Sequence, residues 1–75
     1  MDPKTRELTA CAALAARGTV TTETPLRVHV NAALNVGASH AEVLETLLNV
    51  IAYAGYPTAQ RAVVLAGEEF TKHGL

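Results

Sequence analysis

The stretch NVGASHAEVLETLLNV, residues 35–50, decides the fold. Gly37 is a helix stop, because only glycine enters the left-handed conformation without a Cβ penalty. Two residues later Ser39 begins a Ser-x-x-Glu pattern with Glu42, a capping box in which each side chain satisfies an orphan amide of a new helix. One helix ends and another begins within two residues, so the chain must fold back on itself. Beyond the box, Val43, Leu44, Leu47, Leu48, Val50 and Ile51 nearly encircle the helix, which predicts burial on more than one side.

Working outward, the same punctuation recurs. Asp2 caps a first helix with Pro3 at its opening position, and Gly18 ends it, giving Pro3 to about Arg17. Residues 19–24 (TVTTET) read as a loop, because no second segment offers them a strand partner. Thr24 is expected to cap a second helix that opens with Pro25 and stops at Gly37, with Leu26, His29, Val30, Ala33 and Leu34 facing inward. The third helix should run from Ser39 to Ala54. Gly55 stops it, and Pro57 starts a fourth that reaches about His73. The expectation is an all-α, four-helix, bundle-like unit over residues 1–75.

Composition adds a second constraint. Of 75 residues, 49% are hydrophobic and 17% charged, with one Phe and no Trp, so the apolar surface exceeds what one small core encloses. The surplus predicts a homo-oligomer. The six basic residues are dispersed and the net charge is −1, which argues against a nucleic-acid partner. The lone Cys11 offers neither a disulfide nor a CxxC pair, and no apolar run is long enough to span a bilayer. These features predict a soluble cytoplasmic protein without a membrane partner.

The series Asp-Pro-Lys-Thr-Arg-Glu-Leu (2–8), Leu-Arg-Val-His (26–29), Ala-Ala-Leu-Asn-Val-Gly-Ala (32–38), Glu42 with Glu45, and Tyr-Ala-Gly-Tyr-Pro (53–57) resembles the carboxymuconolactone decarboxylase family in order and spacing. The resemblance covers roughly residues 2 to 70. It implies the helical fold of the alkylhydroperoxidase-like proteins and packing as trimers or hexamers. It also implies decarboxylation of 4-carboxymuconolactone, or a related small carboxylated lactone or keto acid, in aromatic catabolism, with no metal or organic cofactor. The peroxidase branch of that superfamily carries a CxxC pair ahead of the histidine that His29 resembles. Thr22 and Pro25 stand there, so its redox chemistry has no sulfur to use. Decarboxylase members usually carry further residues before the segment that Asp2 opens, so a trimmed form or a site completed by a neighbouring subunit is expected.

Such a reaction needs a carboxylate anchor, an oxyanion donor and a proton source. His29 is the candidate proton source, its alternative being a core histidine bonded to a carbonyl. Arg6 is the candidate carboxylate anchor, since a guanidinium fork pairs two oxygens at once. Arg27 points away from His29 on the same helix and is assigned to an intersubunit or solvent contact. Glu45 is a candidate to orient His29 or move a proton, its alternative being solvation. Tyr53, two turns beyond Glu45, is a candidate oxyanion donor that could equally be a packing aromatic. A decarboxylase-like enzyme on a small carboxylate is thus weighed against a non-catalytic helical oligomerisation module and a lactone hydrolase or isomerase. The enzyme requires these polar groups to converge.

Overall fold

The computed structural model describes residues 1–75. It contains α1 (Pro3–Arg17), a 3-10 turn (Val20–Thr22), α2 (Glu23–Asn35), α3 (His40–Asn49), a single-turn α4 (Ile51–Ala54) and α5 (Tyr56–Lys72), with no strand. The all-α expectation holds.

The caps form where the sequence placed them, with two exceptions. Asp2 accepts the Thr5 amide at 2.9 Å, and Gly18 closes α1 at φ 61°. In the capping box, the Ser39 amide donates to Glu42 at 2.9 Å and the Glu42 amide donates to Ser39 at 3.0 Å. That arrangement, with Lys4 3.0 Å away, holds the Glu42 carboxyl below its ordinary pKa. The first exception is α2, which begins at Glu23 after Thr22 rather than at Pro25 after a Thr24 cap. The Thr22 hydroxyl accepts the Thr19 amide at 3.2 Å and donates to the Thr19 carbonyl at 2.8 Å, closing a 3-10 turn that runs straight into the helix. Pro25 still falls in the first turn, where its missing N–H removes no intrahelical bond.

The second exception is the expected third helix, which breaks at Val50 instead of continuing to Ala54. The Val50 amide bonds the Leu47 carbonyl, one residue short of the α-helical partner, and α4 restarts beyond it. Val50 and Ile51 are adjacent β-branched residues with restricted rotamers in a helix, and Val50 is buried while Ile51 is half-buried. Val50 stands at i+7 from the buried Val43 and i+3 from the buried Leu47, so it faces the core with or without the tightened turn.

The core is built from small residues. Leu47, Leu65, Val30, Val43 and Cys11 are the largest fully buried side chains, and alanines fill much of the rest. Burial raises the Cys11 thiol pKa to about 11, with the nearby Glu7 charge adding to it. Packing is closest between α1 and α2, with α5 across α2 and α3. Two inward expectations are corrected. His29 keeps 37% of its side chain exposed because it sits on the flank of α2 toward α1, beside rather than within the Leu26, Val30, Ala33 face. Leu48 is 50% exposed, so α3 is not enclosed all round within one chain.

Candidate functional site

α1 and α2 lie side by side, and between them His29 Nδ1 meets Glu7 Oε1 at 2.6 Å. Helix spacing explains why. Glu7 precedes Cys11 by four residues and borders the buried stripe of α1, while His29 precedes the buried Val30 and borders that of α2. Two polar residues on facing flanks must then meet. An ionised carboxylate only accepts, so Nδ1 carries the hydrogen and Nε2 is left for other chemistry. Glu7 is 21% exposed and His29 37%, so the pair is sheltered at one end and open at the other.

The expectation that Glu45 orients His29 is corrected, because Glu7 fills that role. Glu45 stands exposed on α3, lining an open groove of ≈ 330 Å³ with Leu8, Glu42, Thr46 and Asn49. Tyr53 is 83% exposed on α4, and the break at Val50 removes the continuous helix that was to align it with Glu45. Arg6 is exposed, its guanidinium reaching only the Met1 carbonyl at 3.5 Å. None of the three concavities of the chain is lined by His29, Glu7, Arg6 or Tyr53. Within one chain, the expected convergence of His29, Arg6 and Glu45 or Tyr53 does not occur.

Arg27, assigned from sequence to solvent or a neighbouring subunit, is an intrachain tie instead. It donates to Glu69 at 2.7 Å and to Glu68 at 2.6 Å. Glu69 is only 3% exposed and also accepts from Asn31 at 2.7 Å and Lys72 at 3.2 Å. These donors, Asn31 foremost and then Arg27 and Lys72, lower its pKa to about 2. His73 Nε2 meets Asn31 Oδ1 at 2.6 Å, extending the network to the end of α5. Every member is spent holding α2 to α5, so this network is structural.

Glu7 is the site residue that sequence reasoning missed. Its pairing crosses 22 residues, which no local periodicity reports. The available signal was an acid bordering the apolar stripe of α1, a position that calls for a partner.

The comparisons with known proteins bear on the chain as a whole. It is 37% identical over 71 residues to the 4-carboxymuconolactone decarboxylase of Acinetobacter baylyi, a match covering 95% of this chain and 51% of that protein. It therefore spans about half the length of that relative. The pattern of the carboxymuconolactone decarboxylase family matches residues 1–68, a span that includes α1 to α4, most of α5, and both members of the Glu7–His29 pair. The chain belongs to the carboxymuconolactone decarboxylase family.

Proposed function

We propose that the chain is a decarboxylase subunit acting on 4-carboxymuconolactone or a related small carboxylated lactone or keto acid, with no metal or organic cofactor, in the cytoplasm. The observation that carries this reading is the half-open Glu7–His29 pair in a member of this family. In the reaction the C–CO2 bond breaks. Its electron pair passes into the conjugated lactone toward the carbonyl oxygen, and a proton is then delivered to carbon. Glu7 holds the ring by Nδ1 and balances the charge of the imidazolium form. His29 Nε2–H then faces the developing oxyanion or donates the proton. Arg6, with no acid partner in its own chain, is free to grip a substrate carboxylate.

The test is carbon dioxide release from 4-carboxymuconolactone by the purified protein. His29→Ala should lower kcat by about 10² to 10⁴, and Glu7→Gln by at least about tenfold with KM little changed. Release by the native protein no faster than in buffer alone would reject the reading. The second reading, a non-catalytic helical module, draws on the scatter of Arg6, Glu45 and Tyr53 around the single chain. It predicts that outcome.

A further inference from the structure

The second ring nitrogen of His29 is unclaimed. Nδ1 is bonded to Glu7, and Nε2 makes no hydrogen bond within the chain. It is not an orphaned buried atom either, because no buried side-chain nitrogen or oxygen lacks a partner. Nε2 therefore opens to solvent. An ionised Glu7 only accepts, which fixes the ring hydrogen on Nδ1 and leaves Nε2 as a lone pair whenever the imidazole is neutral.

No other nucleophile of the chain stands in this way. His40 is set edge-on to Phe70, and His73 Nε2 meets Asn31 Oδ1, so neither ring is backed by a carboxylate. Both lysines are held in ion pairs. Cys11 is fully buried with its thiol pKa raised to about 11, and the Ser39 hydroxyl is occupied in the capping box. The surroundings of His29 are small and apolar. Ala10 and Leu14 continue the Glu7 flank of α1 at i+3 and i+7, and Ala32 and Val36 continue the His29 flank of α2. A compact acyl group has room to approach, and an open flank suits a reaction in which water is itself consumed.

We infer a second activity: His29 acts as a nucleophile toward small activated acyl esters, with Glu7 holding its tautomer. The Nε2 lone pair adds to the ester carbonyl carbon, and the bond from that carbon to the leaving phenol oxygen breaks with its electron pair on the oxygen. The acyl group then rests on Nε2, and the cationic ring keeps its Nδ1–H against the Glu7 carboxylate. Water adds to the acyl carbon and gives a proton to solvent. The carbon–nitrogen bond then breaks with its pair returning to Nε2. The sum is ester and water to acid and alcohol, with nothing oxidised or reduced. His29 touches the reacting carbon, whereas Glu7 acts through the ring as a positioning residue. The inference rests on the Glu7–His29 geometry alone and not on the decarboxylase reading.

The probe is p-nitrophenyl acetate, with p-nitrophenolate release followed near neutral pH. The native second-order rate should exceed that of His29→Asn protein at least about tenfold. Asparagine keeps a polar group where Nδ1 stood, and circular dichroism checks that both proteins are equally helical. His40→Ala and His73→Ala should each hold the native rate within about twofold. Native protein quenched during turnover should carry an acetyl group on the peptide that contains His29. Glu7→Gln should lower the rate about three- to tenfold, because its amide can donate to Nδ1 and leave the hydrogen on Nε2. Nitrogen NMR of the ring should report that change of tautomer, which a merely structural role of Glu7 would not produce. A His29→Asn rate equal to the native one, an equal loss in His40→Ala or His73→Ala, or acetyl found only elsewhere would each overturn the nucleophile. Rate and tautomer unchanged in Glu7→Gln would overturn the part given to Glu7. His29-dependent hydrolysis by a protein that releases no carbon dioxide from 4-carboxymuconolactone would leave this activity standing and remove only the decarboxylase reading.

Discussion

Replacing Glu69 with glutamine removes the one carboxylate buried at the α2–α5 seam while keeping its shape. Folding lowers its pKa from 4.5 to about 2, and one pKa unit corresponds to about 1.4 kcal/mol, which sets a ceiling of about 3 kcal/mol on what its ionisation contributes. Lys72, one of its partners, is 67% exposed and contributes little, and Arg27 can rehydrate and keep Glu68. The expected loss is therefore about 2 kcal/mol at pH 7, or a Tm lower by about 10 °C in a domain of this size. Because folding depresses this pKa, the contribution is complete above about pH 4.5 and disappears as pH falls through about 2. Thermal melts followed by circular dichroism should show the native Tm falling toward the variant's as pH drops from 5 toward 2, with the variant's own curve flatter. A Tm loss under about 4 °C at pH 7, or a gap that stays constant down to pH 2, would refute the reasoning.

Two further substitutions or treatments read other parts of the structure. Gly18→Ala places a Cβ 2.5 Å from Thr58 Cγ2 at a φ of +61°, so urea unfolding should report a loss of about 2 kcal/mol, partly recovered by adding Thr58→Ser, which removes that methyl. The fully buried Cys11, its thiol pKa raised to about 11, should resist a disulfide reagent in native buffer at pH 8 and react promptly in denaturant; rapid native labelling would contradict its burial.

Most of the fold was legible because its helix ends are written in local chemistry. Asp2 with Pro3, Gly18, Ser39 with Glu42, and Gly55 before Pro57 each act within four residues, and each forms as read. The break at Val50 carried no such mark. It arises where a β-branched pair must settle against the core, and proline and glycine are absent from it. The start of α2 was misplaced because Thr24 and Pro25 look like a cap and first position, while the turn is closed earlier by Thr19 and Thr22. The site was half legible. His29 stood out by its chemistry, but its partner lies on another helix, and Glu45, though a neighbour in the motif series, faces away on α3.

The ties between distant helices have a kinetic meaning. Lys4–Glu42, Arg61–Glu23 and Arg27–Glu69 join residues separated by 38, 38 and 42 positions, whereas the α1–α2 pairing closes over a much shorter loop. Bridges that close these longer loops are expected to form late in folding, contributing little to its transition state. Weakening them should leave the refolding rate nearly unchanged and quicken unfolding, which makes the bridges set the lifetime of the native state more than the speed at which it is reached.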